Sequence, residues 1–323
     1  MRIAGAVLLG LIVLAACGAP WLSPNSPNQR FSDLLYAPPT QIHLGDGMAA
    51  PHLHPLRIVS RLERRFEEDR ARHVPLRWFS GGVLVSADPD NGVPLLLLGA
   101  DAFGRDRFSR LLHGSRATLA LGVLATLFAT AVGALVGGVA GYAGGRLDAL
   151  LSRVSEFVVV LPAIYVTLAL RAVMPLVLPA STVFVLLLMI FALLGWPMVA
   201  RGVRAIVLVE RDREYAIAAR AAGASPTRLL TRHLLPATLG YLGTQASLLL
   251  PAFILAESTM SFVGLGFPDT TPTWGTMLQD AANVALIGDA PWALAPAAAI
   301  FMVVLGVNLV VQSTGRAPIQ LER

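Results

Sequence analysis

The side chains in this sequence that could do chemistry are few. His43, His52 and His54 stand close together and carry imidazole nitrogens that can bind a metal ion. No cysteine or convergent carboxylate accompanies them at ligand spacing, so we predict loop histidines and no metal site. Cys17 is the single cysteine, which excludes an intramolecular disulfide.

Catalytic motifs are missing. All 25 basic residues are arginine, and without a lysine a phosphate-binding Gly-x-x-x-x-Gly-Lys loop is impossible. The sequence also lacks a Gly-x-Ser-x-Gly nucleophile turn and a His-Glu-x-x-His zinc motif. We predict that the chain is not an enzyme, has no catalytic residue and binds no cofactor. If it takes part in an ATP-driven process, ATP and Mg²⁺ must bind to a separate ATPase.

The composition is typical of a membrane protein, with 55% hydrophobic and 14% charged residues. Its basic residues are not interleaved with stacking aromatics, so we predict contact with the lipid bilayer and none with nucleic acid. Five uncharged windows each contain about 20 mostly apolar residues, enough to cross the hydrocarbon as a helix. These windows are 3–29, 117–145, 172–200, 233–256 and 290–315. A less clean stretch at 154–175 brings the predicted number of transmembrane helices to six.

The predicted fold is an all-α polytopic membrane protein with about six transmembrane helices and a long external segment after the first. The predicted regions are the first transmembrane helix 1–22, the external segment 23–115, a five-helix core 116–315 and a cytoplasmic tail 316–323. The apolar run ending in Leu14-Ala15-Ala16-Cys17 is also typical of a lipoprotein signal. Five later spans and the continuation of the run past Cys17 favour a retained helix.

Loop charges orient the chain. The loop 201–237 carries seven arginines, whereas the charged residues of 263–290 are all acidic: Asp269, Asp280 and Asp289. The positive-inside rule therefore places 201–237 in the cytoplasm. The external segment also holds arginines, but long loops cross the membrane largely regardless of charge. Within it, 23–56 is predicted to be extended loop, and the i,i+4 charge pairs of 57–72 predict a short amphipathic helix.

Four glycines recur at intervals of four residues in the second span, at Gly133, Gly137, Gly141 and Gly145. On one helix this row makes a nearly bare face that lets another backbone approach closely. The face is predicted to pack on a helix of the transport core, or simply within the subunit.

The loop 201–237 contains the most informative local pattern. The alanine-rich stretch 216–222 favours a helix with little side-chain bulk. Gly223 can adopt the left-handed conformation that ends a helix, and Ser225 with Pro226 suits the start of a second helix over about 226–234. Glu214 lies near the start of the first helix, where negative charge is favoured. We expect a rigid lever joined to the fourth and fifth spans.

This lever resembles the cytoplasmic coupling loop of ABC importer permeases, which docks on the ATPase subunit. Ala218-Ala219, Gly223 and Leu235-Pro236 keep that family's spacing, while Ile217 occupies the place of its usual Glu. The residues that the resemblance and the loop physics assign to ATPase coupling are Glu214, Tyr215, Ala218, Ala219, Gly223, Ala224, Ser225 and Pro236.

The resemblance extends over about 99–308 and points to the C-type subunit of the dipeptide/oligopeptide/nickel permease family. Its motifs are Gly104-Arg105-Asp106, Ser109-Arg110-Leu111-Leu112, Gly141-Tyr142, Trp196-Pro197, Ser261 to Gly266 and Pro272-Thr273-Trp274-Gly275. Glu156 replaces a usual Asp, and the usual Gly-Asp-Gly ending after Asn308 is absent. The resemblance implies a bacterial inner-membrane importer of peptides or similar small solutes. The implied partners are a homologous permease, two ABC ATPases and an external solute-binding protein.

Glu257 is nearly alone as an acid within a span, which makes it a candidate for the translocation path. It is predicted either to meet a substrate amino group or to act structurally, by pairing with Arg171 or capping the turn at Gly264-Leu265-Gly266. A different class of function is an ATP-independent secondary transporter or channel. That class predicts inverted repeats and paired intramembrane charges, neither of which is evident here.

Overall fold

The computed structural model describes residues 2–44, 51–60, 63–88, 92–172 and 178–312. Most of these residues are helical. The α-helices are α1 Arg2–Cys17, α2 Ala19–Leu22, α3 Arg107–Ala143, α4 Gly145–Val160, α5 Ala163–Ala172, α6 Ala180–Glu210, α7 Glu214–Ala221, α8 Pro226–Leu229, α9 Leu235–Ala237, α10 Leu239–Phe262, α11 Trp274–Met277, α12 Val284–Asp289 and α13 Ala295–Gln312. A π-helical turn spans Leu230–Leu234, and 3₁₀ turns span Leu278–Ala282 and Pro291–Leu294.

Four helices in the described part of the chain are long and apolar enough to cross a membrane. They are Arg107–Ala143, Ala180–Glu210, Leu239–Phe262 and Pro291–Val311. The apolar helix α1 is shorter, at 16 residues. The stretch predicted as a span at 154–175 is interrupted between α4 and α5, because Leu161 precedes Pro162 and adopts the extended conformation that proline imposes on its neighbour. The end of that stretch and the predicted tail 316–323 lie outside the described residues.

The prediction of an all-α chain is wrong for the segment that follows α2. Seven short strands occur there among the described residues: β1 Ile42–His43, β2 His52–Leu53, β3 Leu56–Ser60, β4 Arg65–Glu68, β5 Val74–Pro75, β6 Arg77–Trp78 and β7 Val85–Ser86. They form an antiparallel sheet in the order β1-β2-β5 and the two hairpins β3-β4 and β6-β7. The stretch 23–56 is therefore not loop throughout.

The predicted amphipathic helix at 57–72 is also wrong, because β3 and β4 pair as a hairpin. Ile58 lies opposite Phe66, and Leu56 lies opposite Glu68. In β3 the exposed and half-buried side chains alternate, as a strand with one covered face requires. The charged residues that suggested i,i+4 pairs along a helix instead belong largely to β4 and the turns around it.

The chain divides into two compact units. Unit 1 comprises 1–119 and 258–310, and unit 2 comprises 120–257 and 311–323. In unit 1, α1 packs on α13 at a point where both helices carry glycine: an added Cβ on Gly5 would lie 2.8 Å from the Gly306 carbonyl oxygen. Trp274 is buried beneath the start of α3, where its indole nitrogen donates to the Leu111 carbonyl at 3.2 Å.

Unit 2 is built around α6. Val199, Val203 and Val207 are fully buried along one side of this helix and form a cluster with residues of the 214–237 segment. Nearer the N-terminus of α6, Phe191 stacks on Phe253 of α10 with ring centroids 5.4 Å apart. The core of unit 2 therefore positions the segment predicted to act as the lever.

Candidate coupling site

The coupling segment, residues 214–237, is anchored by three buried side chains. Ala216, Leu229 and Leu234 are each 0% exposed and pack with the valines of α6. Ala216 comes from α7, Leu229 from α8 and Leu234 from the π-helical turn. Each part of the segment thus contributes one buried side chain to the cluster that contains the α6 valines.

The turn between α7 and α8 is a complete Schellman motif. Gly223 has φ +82° and donates to the Arg220 carbonyl at 3.0 Å, while Ala224 donates to the Ala219 carbonyl at 3.0 Å. An added Cβ at Gly223 would meet nothing within 4 Å. Glycine is required here by the backbone conformation and not by lack of space, because residues with a Cβ are less stable in the left-handed region.

The second half of the segment begins as an N-capped helix. Ser225 has extended dihedrals and its hydroxyl accepts from the Arg228 amide at 3.3 Å, with Pro226 in the first helical position. The segment then adopts a π-helical turn, in which the Leu235 amide donates to the Leu230 carbonyl. Pro236 follows at once, and since proline has no amide hydrogen it cannot continue the regular helical bonding.

The exposed face of α7 carries mostly small side chains. At 100° per residue, Glu214, Ala218 and Ala221 lie on the side of α7 opposite the buried Ala216, and all three are exposed. Tyr215 projects beside this face and donates its hydroxyl to Glu210 at 2.8 Å. Burial and the hydrogen bond to Glu210 raise the pKa of Tyr215, so its hydroxyl stays protonated at neutral pH.

Three of the four predicted packing glycines lie against α6. An added Cβ would meet Val199 at Gly133, the Ala200 carbonyl at Gly137 and the Arg204 carbonyl at Gly141. The fourth does not continue the row, because α3 ends at Ala143 and Gly145 is the first residue of α4, where an added Cβ would meet nothing within 4 Å. The row therefore packs within the subunit, on the helix that leads into the coupling segment.

Two arginines tie the end of α6 to its neighbours. The Arg204 guanidinium donates to both carboxylate oxygens of Asp148, with 2.7 Å between Nη2 and Oδ2. Arg211 donates to the Gly141 carbonyl at 2.9 Å, at the C-terminal turn of α3. Arg220 of α7 in turn donates to the Arg211 carbonyl at 3.1 Å. Hydrogen bonds thus connect α3, α6 and α7 in series.

Glu257 is 0% exposed within α10. The turn that it was predicted to cap contains three hydrogen bonds: Leu265 and Gly266 both donate to the Met260 carbonyl, and Phe267 donates to the Ser261 hydroxyl. The side chain of Arg171, the other predicted partner, is outside the described residues. The two predicted roles of Glu257, in the translocation path or in the structure, both stay predictions.

Unit 1 contains a second polar site, the arginine cluster, defined by Arg105, Arg107 and Arg110 with the carboxylates of Asp101, Asp269 and Asp280. Arg105 donates to Asp101 at 2.7 Å and forms a bidentate pair with Asp269 at 2.7 and 3.0 Å. Arg107 pairs with Asp280, and Arg110 donates to the Asp269 carbonyl at 3.0 Å. The cluster joins the start of α3 to the 263–290 loop.

The carboxylates of this region differ in their pKa shifts. Burial raises the pKa of Asp269, but the hydrogen bond and charge of Arg105 outweigh burial and bring that pKa below its ordinary value. Burial raises the pKa of Asp280 despite the opposing charge of Arg107. Burial raises the pKa of Asp106 to about 6, against hydrogen bonds from Ser109 and Asn25. Asp106 also caps α3 by accepting from the Phe108 amide at 3.0 Å.

Sequence reasoning gave Gly104-Arg105-Asp106 and Ser109-Arg110 as family motifs without identifying their partners. The sequence contained a signal for this pairing, because the 263–290 loop carries only acidic charges and the stretch before the second span is rich in arginine. The separation of 164 residues between Arg105 and Asp269 conceals this pairing in the sequence.

The apolar helices and a lever-like segment without catalytic motifs define a membrane component of a transport system. Residues 117–316 match the family described as the binding-protein-dependent transport system inner membrane component, and the chain belongs to this family. Residues 1–39 match the N-terminal TM domain of oligopeptide transport permease C. This second match agrees with a retained first helix.

Named relatives agree with this assignment. The chain is 30% identical to the di/tripeptide transport system permease protein DppC of Pseudomonas aeruginosa, over 94% of this chain and 83% of the relative. It is 38% identical to the dipeptide transport system permease protein DppC of Bacillus subtilis, over 59% and 58% of the two chains. It is 35% identical to the protein of the same name in Alkalihalophilus pseudofirmus, over 66% and 67%.

The chain is therefore a multi-pass permease subunit of a binding-protein-dependent ABC transport system in the bacterial inner membrane. Such a system includes an ATPase and a solute-binding protein. The family supports the ATP-driven importer and not the alternative of a secondary transporter or channel. The chain's own role is that of a transport permease subunit.

Proposed function

We propose that this chain moves peptides or similar small solutes, delivered by an external solute-binding protein, across the membrane when ATP is hydrolysed on a separate subunit. The peptide class rests on the names of the relatives, which are di- and tripeptide permeases. ATP and Mg²⁺ bind to the partner ATPase, since this chain has no lysine for a phosphate-binding loop.

The working assembly contains this chain, a homologous second permease, two ABC ATPases and the solute-binding protein. In this chain six spans cross the bilayer, with the four long helices supplemented by α1 and by the pair α4 and α5. The coupling segment faces the cytoplasm and the 23–106 segment faces outward, as the loop charges favour. The outward segment either docks the solute-binding protein or plugs the pore.

The coupling segment docks in a groove of the ATPase. The observation that carries this proposal is the helix–Schellman turn–helix unit, anchored on α6 by Ala216, Leu229 and Leu234, with the small face of α7 left exposed. The residues assigned to docking and to the shape of the unit are Glu214, Tyr215, Ala218, Ala219, Gly223, Ala224, Ser225 and Pro236. Closure of the ATPase on ATP pulls this unit, and the contacts with α6 transmit the movement to the spans.

The charge of Glu214 adds an electrostatic element to the docking. Its carboxylate lies in the first turn of α7, where the helix dipole favours negative charge, and it is exposed beside Ala218. We assign it an arginine on the ATPase as partner. Glu257 is retained as a translocation-path residue only if a conformation of the transport cycle uncovers its buried carboxyl.

The experiment is purification of the tagged chain from native membranes in mild detergent, with co-purifying proteins identified by mass spectrometry and ATPase activity measured. Ala218→Arg places a long charged side chain on the exposed docking face without disturbing the buried contacts. Ala71→Arg is the matched control, since Ala71 is exposed in the 23–106 segment. We expect wild type and Ala71→Arg to recover a second permease and ATPase subunits.

Ala218→Arg should keep the second permease and lose most of the ATPase. Full recovery of an active ATPase with Ala218→Arg would refute docking at this face. Purification of the wild-type chain alone, in a form that conducts solute without ATP, would refute the importer assignment itself.

A further inference from the structure

Four histidines lie on one face of the small sheet β1-β2-β5. His43 lies directly opposite His52, and Leu53 lies opposite Val74, so continuing the register brings His54 opposite His73. Directly opposed residues of antiparallel strands share a face, as do residues two apart on one strand. His43, His52, His54 and His73 therefore project to the same side. Of the predicted loop histidines, His43 and His52 lie in strands β1 and β2, and His54 follows β2 directly, while His73 immediately precedes β5.

The other face of this sheet is packed against an apolar core, which fixes the histidine backbones. Leu53 is 0% exposed and clusters with Leu76, Ala87, Val93 and Leu95. Val74, which pairs with Leu53, packs against the same cluster. The strands that carry the histidines therefore have a defined orientation, set by ordinary core packing.

The imidazole rings meet at the spacing that a shared metal ion requires. The ligand atoms of His52, His54 and His73 all lie within 4.8 Å of one another. A tetrahedral Zn²⁺ site has Zn–N distances of about 2.0–2.1 Å, which places its ligand nitrogens roughly 3.3 Å apart. Side-chain rotations that bring each nitrogen about 1 Å inward would close the site, without a change in strand pairing.

One ligand already has the supporting contact that metal-bound histidines usually have. The Nδ1 atom of His54 lies 2.9 Å from the Arg72 carbonyl oxygen. A carbonyl can only accept, so Nδ1 carries the hydrogen and Nε2 is left with its lone pair free to bind a metal ion. His54 is buried, His52 is half-buried and His73 is exposed, so the cluster is open to solvent on one side.

A negative charge lies next to the cluster. Both carboxylate oxygens of Glu68 are 3.2 Å from Nε2 of His43, and the His43 ring centroid is 4.8 Å from that of His54. This carboxylate offsets part of the charge of a bound cation. Because His43 is held by Glu68, it stands beside the three-histidine group as a supporting residue.

We propose that His52, His54 and His73 bind one divalent transition-metal ion of the zinc type, with a water molecule in the fourth position. Three neutral imidazoles suit such ions, whereas Mg²⁺ and Ca²⁺ prefer oxygen ligands. The ion cross-links β2 to the start of β5 and stabilises the sheet. This site is independent of the coupling segment and of the proposed transport function.

The test uses the full chain in detergent, purified with a tag that contains no histidine, stripped of metal and then dialysed against Zn²⁺. Bound metal is counted by plasma mass spectrometry, and thermal unfolding is measured with Zn²⁺ or Mg²⁺. His73→Gln removes an exposed ligand without disturbing the core. His233→Gln is the matched control, because His233 lies in the coupling segment, outside the cluster.

We expect about one Zn²⁺ per chain in wild type and in His233→Gln, with a Zn²⁺-dependent rise in unfolding temperature that Mg²⁺ does not give. His73→Gln should weaken Zn²⁺ binding at least about 10-fold and lose the thermal shift. Equal binding by wild type and His73→Gln, or no Zn²⁺ retained by wild type, would overturn the proposal.

Discussion

The contact between α3 and α6 at Gly137 gives a stability prediction that does not depend on function. A Cβ added at Gly137 would lie 2.9 Å from both the carbonyl carbon and the Cα of Ala200, and closer still to its oxygen. Non-bonded carbons prefer separations of about 3.5–4.0 Å, so the two helices would have to move apart by roughly 0.6–1 Å. The three nearest atoms all belong to the Ala200 backbone, so a rotamer change does not relieve the clash.

Gly137→Ala should therefore destabilise unit 2. Overpacking lowers the free energy of unfolding by roughly 1–3 kcal/mol, and the better helix propensity of alanine raises it by about 0.5–1 kcal/mol. Separation also loosens the contacts at Gly133 and Gly141, which share the face, so we expect a net loss of about 1–2 kcal/mol. For a chain of this size that corresponds to a decrease of roughly 1.5–3 °C in the unfolding temperature.

The assay is thermal unfolding of purified variants in one detergent, and two other glycines serve as controls. At Gly138 an added Cβ meets only the ends of the Leu235 and Leu230 side chains, at 3.0 and 3.3 Å, which can shift. At Gly240 it meets nothing within 4 Å. Gly138→Ala should be nearly neutral and Gly240→Ala slightly stabilising. If Gly137→Ala unfolds at or above the wild-type temperature, close helix packing is not what this glycine provides.

Three further predictions concern the other sites. Proline at position 223 cannot adopt φ +82° and has no amide hydrogen for the bond to the Arg220 carbonyl, so Gly223→Pro should abolish ATP-dependent uptake with normal expression. Gly223→Ala should cost about 1–2 kcal/mol and reduce uptake only partly. Normal uptake with Gly223→Pro would refute the lever. Asp269→Asn should lower stability by about 1–3 kcal/mol at neutral pH by weakening the pair with Arg105. Because the pKa of Asp269 is lowered, the stability from its charge is present above pH 4 and lost as the pH falls through the lowered pKa, so unfolding curves of variant and wild type should converge in acid; a constant difference would contradict this. Glu257→Gln should lower the unfolding temperature but leave uptake per folded complex unchanged, and reduced uptake by fully folded complexes would assign its charge to the solute path.

The local features of the coupling segment could be predicted because neighbouring residues determine them. The helix over the alanine-rich stretch, the left-handed turn at Gly223 and the cap at Ser225 depend on residues within a few positions of each other. The π-helical turn at Leu230–Leu234 was not predicted, although Pro236 signals that regular bonding stops nearby. Family resemblance supplied the docking role, which no local pattern contains.

The errors arose where local and non-local signals compete. Charges in 57–72 are spaced as on a helix, but pairing of Ile58 with Phe66 makes that stretch a hairpin. The prediction of a row of four glycines required one continuous helix, but α3 ends at Ala143 and Gly145 belongs to α4. His73 was overlooked because only strand register brings it to His54. In each case the deciding contact lies outside the window in which a periodicity is measured.

Unit 1 is assembled from two distant stretches of chain, and this has a consequence for synthesis. Arg105 precedes its partner Asp269 by 164 residues, so at about 5–20 residues per second the ribosome adds Asp269 roughly 8–33 s later. Residues 120–257 of unit 2 are made during that interval, before the second half of unit 1 exists. Until Asp269 and Asp280 are made, in the last fifth of the chain, the arginines of the cluster lack these two carboxylate partners.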